Sequence, residues 1–377
     1  MTQQGPLAGI RVLELAGIGP APYAATMLAE LGAEVLRVDR PGGAGPAVSD
    51  VEPLNRSRQN LILNMKHDRA ADTFLTLVEA SDVVIDPYRA GVTERLGIGP
   101  AACQQVNPGI IYAQMTGWGQ TGPLAQRAGH DINYLGLTGV LHMIGGAEKP
   151  RQPVNIGADF GGGAMFLITG ILSALLARAT TGTGQVVDVA MVDGASSLAT
   201  MMYGYHAQGV WRDEREANLL DGGAPFYDTY QCLDGKFVSV GALEPEFFRV
   251  LLAELGLEFE QFDRSCWPAM RQAFADVFLT KTRDAWAEIF EEQDACVYPV
   301  LSLAEAPNHP HMRARDVFVP FHQGYQPRSA PVFSATPLQP IGPEAAPGEH
   351  TTEILQRIGL ATETIEALLA DGVVQQS

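Results

Sequence analysis

The chain has 377 residues, 46% of them hydrophobic and 18% charged, with 43 acidic against 25 basic side chains and a formal net charge of −18. That composition excludes a disordered chain and supplies apolar material for two or three domains, or for one large domain with a smaller insert. The acidic balance argues against nucleic acid as a partner, yet leaves room for one phosphorylated ligand held by a few gathered cations.

In chain order, residues 10–16 form a short apolar run bounded by glycine and read as a buried strand. Gly17-Ile18-Gly19-Pro20 makes a turn, a helical pattern follows from Pro22 to Leu31, and Ala33 to Asp39 is a second strand. His67 to Ala80 reads as helix, and Asp82 to Asp86 and Ile110 to Met115 as strands. Strand, helix, strand at this spacing indicates βαβ crossovers and a parallel sheet, with ligands at the carboxyl ends of its strands. The loops after Ala16, Asp39, Asp86 and Met115 are therefore where chemistry is expected.

A long helix over Phe160–Arg178, a strand at Gln185–Met191 and a helix from Asp193 continue the alternation. Near residue 210 the texture changes. Tyr227–Cys232 and Phe237–Val240 flank an Asp234-Gly235 turn and predict a hairpin, followed by helices at 245–255, 268–279 and 282–292. This predicts a second, smaller α+β domain at about 225–320. Residues 323–349 are rich in proline and read as a long extended connection that wraps another surface, and helices at 351–358 and 362–370 finish the chain.

Four separated cysteines, Cys103, Cys232, Cys266 and Cys296, form no CxxC pair, so neither structural zinc nor a disulfide framework is expected. The residues before Leu7 lack the basic and apolar regions of a secretory leader, and Ala164–Ala177 is too short to span a bilayer. The C-terminal Val374-Gln375-Gln376-Ser377 is not a peroxisomal address. A cytoplasmic protein with no metal and no membrane partner is the expectation.

The glycine-rich turn after the first strand resembles the start of a dinucleotide fingerprint. Pro22, however, stands where the third glycine belongs, and Asp39, the only candidate for the ribose, is followed at once by Arg40. His130, after a glycine and off any apolar period, is a candidate acid–base group, though such an isolated histidine is more often structural or on the surface. Asp159 stands before three consecutive glycines and a long apolar helix. It reads as a plain N-cap, or as a carboxylate beside backbone that a ligand must approach closely, able to move a proton near a developing oxyanion. Candidate phosphate contacts are Arg40, Arg56, Arg58, Lys66, Arg89 and Arg95.

Taken together, these segments resemble the class III CoA-transferase family and, within it, the α-methylacyl-CoA racemase branch. The resemblance runs through Leu7–Leu15, Gly32–Pro41, Gly91–Gly97, Thr116–Pro123, Ala128–Tyr134, Gly157–Gly163, Met191–Gly194, Asp221–Asp228 and Gly241–Pro245, and the branch-level match is Gly129-His130-Asp131-Ile132-Asn133-Tyr134. It implies a Rossmann-like large domain with a smaller α+β domain, in an interlocked, ring-shaped homodimer. The large domain would take residues 1–200 and 350–377, the small domain 225–320, with connections at 201–224 and 321–349. The site would lie between one subunit's large domain and its partner's small domain. It also implies that His130 and Asp159 are the two bases and that Glu244 from the partner orients the histidine. Arg40, Leu63, Lys66, Arg89, Arg95, Tyr134 and Asn155 would contact CoA or the thioester. The implied substrate is a 2-methylacyl-CoA or related α-branched acyl-CoA, with CoA as part of the substrate and no separate cofactor. Ile18, Leu219 and Met201 are candidate acyl lining. The rival expectation is a CoA-transferase that uses Asp159 as nucleophile. A non-enzymatic CoA-binding protein is a third reading, disfavoured by the presence of both His130 and Asp159.

Overall fold

Six parallel strands carry the larger part of the molecule, in a computed structural model that describes residues 4–43 and 52–377. The chain runs β1 (Arg11–Leu15), α1 (Pro20–Glu30), β2 (Glu34–Asp39), β3 (Gln59–Leu63), α2 (Ala70–Glu79), β4 (Val83–Asp86), α3 (Val92–Arg95), α4 (Pro100–Val106), β5 (Ile111–Thr116), α5 (Asp131–Leu137) and α6 (Val140–Met143). A small hairpin, β6 (Gly145–Gly146) and β7 (Lys149–Pro150), precedes a π-helix at Ile156–Ala164, then α7 (Met165–Thr181), β8 (Val186–Ala190), α8 (Met191–Leu198) and α9 (Thr200–Ala207). Next come β9 (Tyr227–Gln231), β10 (Phe237–Gly241), α10 (Pro245–Leu255), α11 (Trp267–Phe278), α12 (Arg283–Phe290), β11 (Val297–Pro299), α13 (Pro310–Ala314), β12 (Phe318–Phe321) and β13 (Gly324–Pro327). The chain closes with α14 (Thr351–Arg357), α15 (Thr362–Ala370) and β14 (Val374–Gln375).

The chain divides into two units. The larger takes the chain up to Val140, Pro153–Ala199 and Ser329–Ser377; the smaller takes Leu141–Gln152 and Thr200–Arg328. The division is finer than the sequence suggests: a twelve-residue excursion with its own hairpin leaves the large unit after α5, and the return to it begins at Ser329. The returning segment lies along the large unit. Gln339 donates its amide to the Glu30 carbonyl, and Glu344 accepts from the Glu52 amide and from Asn55 Nδ2.

The large sheet has the order β14-β3-β2-β1-β4-β5-β8, parallel except for β14. β1, β4 and β5 are buried along nearly their whole length, as parallel strands covered on both faces must be. Leu13, Leu15, Leu61, Leu63, Phe74, Leu77 and Tyr112 centre one core cluster, which Ile354, Leu355, Ile365 and Leu368 of α14 and α15 complete.

β3 is not evident from sequence. Its apolar run is only Leu61-Ile62-Leu63, yet it pairs in register with β2, and its Asn60 Nδ2 donates to Asp39 Oδ2 at 2.6 Å. β14 then covers the free edge of β3, Val374 opposite Leu63.

Ile156–Thr181 is one helical run of 26 residues, longer than the segment from Ala164 to Ala177 and, by length and composition, sufficient to cross a membrane. Here it is a sheet-covering element. Leu167, Ile168, Ile171 and Ala174 form its buried stripe, and α7 packs on β5 and β8.

In the small unit β11-β10-β9 form an antiparallel sheet whose β9–β10 register matches the expected hairpin. Phe226, Tyr230, Phe248, Trp267, Phe274, Phe278, Trp286 and Phe290 make an aromatic core against it. Edge-to-face pairs such as Phe226–Trp267, with centroids 5.7 Å apart, account for its cohesion.

Candidate active site

The parallel strands deliver their following loops to one edge of the large sheet. Gly17–Gly19 follow β1, Arg40 follows β2, Lys66 lies just beyond β3 and Arg89 just beyond β4, while Arg95 ends α3. The loop after β5 carries Trp118 and ends at His130. Strand order turns between β1 and β4, and such a switch point leaves a crevice where ligands bind. Arg40, Lys66, Arg89 and Arg95 are exposed there, with Arg40 Nε donating to the Gly43 carbonyl at 2.8 Å.

Three expected contacts have other roles. Arg58 is buried and donates to Glu14, to Thr26 and to the carbonyls of Pro22 and Leu54, so it is a structural ion rather than a phosphate ligand. Arg56 donates to Glu30 at 2.7 Å. Leu63 places its side chain wholly in the core, leaving only backbone at the edge. Asp39 is likewise spent: it accepts from Arg37 Nε and Asn60 Nδ2, which removes the ribose ligand a dinucleotide site requires.

His130 is the N-cap of α5, in extended conformation, with its amide donating to Asn133 Oδ1 at 3.1 Å and its carbonyl accepting from the Asn133 amide at 2.8 Å. The backbone is thus held at both sides while the imidazole stays exposed. Tyr134, one turn on, is buried edge-to-face on Trp118 and donates its hydroxyl to the Gly129 carbonyl at 2.5 Å. A Cβ on Gly117 would stand 2.1 Å from the Tyr134 ring and one on Gly129 would stand 2.7 Å from it, so both positions need glycine for the loop to close over that ring.

Asp159 lies in the first turn of the π-helix, a geometry that recurs at functional sites. Its carboxylate is half-buried and accepts from Asn155 Nδ2 at 3.4 Å. Burial pushes the Asp159 carboxyl above its ordinary range, and the charge of Asp131 pushes it further; Asn155 and His130 pull the other way. Burial, followed by Asp159, raises the Tyr134 phenol, and the charge of Arg89 lowers it.

The glycines after Asp159 answer to packing. A Cβ on Gly162 would lie 2.6 Å from the Ala195 amide nitrogen, and one on Gly194 would lie 1.8 Å from the Gly162 carbonyl oxygen, so the π-helix and α8 touch backbone to backbone. The N–H groups of 161–163 lie within the π-helical ladder, not at its open end, and so are poor candidates for an oxyanion donor. At that open end the amides of Ala158 and Asp159 donate to Asp131 Oδ2 at 2.7 and 2.8 Å. Sequence reasoning missed Asp131. It stands in the first turn of α5, an ordinary place for an acid, and nothing in the sequence links it to a segment 27 residues away.

Glu244 is the exposed N-cap of α10 in the small unit, and Met201 is exposed on α9 there. Leu219, in the same unit, is also partly exposed, and Ile18 is exposed in the loop after β1. Among the described residues no cluster of three or more metal-ligating side chains occurs.

A model of the family described as CoA-transferase family III matches residues 7–351. The chain is 43% identical over 378 residues to the alpha-methylacyl-CoA racemase of Homo sapiens, covering 98% of each chain. It is also 43% identical over 376 residues to that of Mus musculus, covering 98% of this chain and 97% of the other. A crystal structure of a CAIB/BAIF family protein from Brucella suis superposes with a TM-score of 0.81 at 26% identity, over 94% of this chain and 100% of that one.

Proposed function

The chain belongs to CoA-transferase family III, and from that membership we propose that it epimerises 2-methylacyl-CoA thioesters at the α-carbon through an enolate. The observation that supports this reading is the half-buried Asp159 carboxyl, which burial holds toward its protonated form and on which the charge of His130 acts in the opposite direction.

Inversion needs a base on one face of the α-carbon and an acid on the other. His130 takes the α-proton as the C–H bond breaks, and that electron pair moves onto the thioester oxygen. Asp159 gives its proton to the opposite face, and the roles exchange in the reverse direction. Both groups work best with pKa values near the working pH, which is what burial does for a carboxyl. The Asp131 and Ile132 amides, which precede the first laddered amide of α5, are the donors proposed for the enolate oxygen. Arg40, Lys66, Arg89 and Arg95 hold the CoA phosphates, and Tyr134 and Asn155 border the thioester.

We further propose an interlocked homodimer in which the partner subunit's Glu244 orients His130 and stabilises its charged form. Ile18, Leu219 and Met201 are offered as lining for the acyl chain.

The test is exchange in D2O. A single epimer of a 2-methylacyl-CoA should acquire deuterium at the α-carbon as it converts to the other epimer, and conversion without any exchange would refute the enolate. A transferase reading, with Asp159 as nucleophile, predicts instead CoA transfer to an added carboxylic acid. The neighbouring His130 and the raised pKa of Asp159 favour the racemase.

A further inference from the structure

We propose that Asp131 is a positioning residue that sets the separation of the two bases, by tying the segment that carries Asp159 to the start of the helix that His130 caps. The inference rests on the racemase reading and deepens it.

Asp131 is 5% exposed and follows His130 directly. One of its carboxylate oxygens, Oδ2, accepts both the Ala158 amide at 2.7 Å and the Asp159 amide at 2.8 Å. Charge-assisted bonds of this length are among the stronger and more directional ones a protein makes. The other oxygen, Oδ1, is buried with no hydrogen-bond partner. A buried carboxylate left half unpaired is costly, so the structure holds a charge here that packing alone does not need.

That charge acts on Asp159. The groups that act on the Asp159 carboxyl are His130, Asp131 and Tyr134 from α5 and its cap and Asn155 from its own segment, and Gly19 of the loop after β1 stands beside it. Of these, only Asp131 adds a negative charge that favours the protonated carboxyl. One side chain thus does two things: it fixes where Asp159 stands and helps keep it able to donate a proton.

Asp131→Asn separates the two. Asn retains an oxygen for the two amides and puts its NH2 where Oδ1 has no partner, so chiefly the charge is lost. Asp131→Ala removes the acceptor itself. The acidic limb of kcat/KM should move to lower pH in Asp131→Asn. In Asp131→Ala, kcat should fall on the order of 100-fold with KM little changed, as for a misplaced reacting group. Alongside, the Asp159 titration is read directly by NMR of [4-13C]aspartate-labelled protein, the resonance being identified by its loss in Asp159→Asn. It should move to lower pH in Asp131→Asn. An active wild type whose Asp131→Ala variant keeps its kcat overturns the inference and leaves the racemase reading intact, and a limb and Asp159 titration that both stay fixed in Asp131→Asn remove the charge effect from it. A wild type that racemises nothing, with the titration still displaced, sinks the racemase reading and sustains the coupling. If Asp131→Ala does not fold, Asp131→Glu replaces it, since it keeps the charge but displaces the acceptor oxygen: kcat should fall with KM little changed, and an unchanged kcat overturns the inference.

Discussion

The Asp159 carboxylate reaches the loop after β1: a Cβ added to Gly19 would stand 3.4 Å from Asp159 Oδ2. Gly19 holds φ at 69°, which disfavours any other residue, and it precedes α1 at the sheet's switch point. Gly19→Ala should therefore strain the loop, while its methyl meets the carboxylate at ordinary contact distance. A loss of roughly 10-fold or more in kcat, with the melting temperature lowered by a few degrees, is expected. Steady-state kinetics and thermal melts of the variant check it.

In the proposed scheme each base serves one face. His130→Ala and Asp159→Asn should each lower racemisation by about 10²–10⁴-fold. Asp159→Asn should still exchange the α-hydrogen of one epimer without inverting it, through His130, and His130→Ala should favour the other epimer. NMR of both pure epimers in D2O distinguishes this from a site with one base, where a single variant would silence everything.

Asp159 should also cost stability. Its folded pKa is raised by burial and by Asp131, so between the ordinary carboxylate range and that raised value the native state binds more protons than the unfolded state. Stability from this group is thus present at low pH and lost as pH rises through the window. Asp159→Asn should melt higher than wild type at neutral pH, and the gap should close on acidification. Scanning calorimetry across that range is the measurement. A functional group held against its own solvation preference is a common source of such a trade-off.

The arginines should separate into two classes. Arg40→Ala and Arg89→Ala should raise KM for a CoA thioester ~10-fold or more, leave melting unchanged and flatten the salt dependence of binding. Arg58→Ala should instead destabilise the fold by ~3–5 kcal/mol, because it leaves Glu14 charged and buried, with Arg37 as its remaining partner at 3.0 Å. Urea unfolding alongside CoA titration tells them apart.

Glu244 can be assigned to a subunit by complementation. His130→Ala and Glu244→Ala chains should be nearly inactive alone. Mixed dimers should regain activity, since one site then pairs an intact His130 with the other subunit's intact Glu244. Mixed dimers without activity would mean that both groups come from one chain.

Much was legible in the chain alone. Alternating apolar runs and helical periods marked β1, β2, β4, β5, β8 and the helices of the small unit, because buried parallel strands and amphipathic helices write their periods directly into local composition. His130 and Asp159 were likewise visible as candidates from local order. Tertiary structure decided what depended on partners distant in sequence. β3 and β14 are strands because a sheet edge templates them. Arg58 turned inward because Glu14 waits, buried, on β1. Gly162 and Gly194 serve a backbone contact between two helices. Asp131 meets Asp159 because folding brought two amides, 27 and 28 residues away, onto one carboxylate oxygen. Hydrophobic period is a property of neighbours along the chain, whereas hydrogen bonds and charge pairs belong to neighbours in space, and only the fold chooses those.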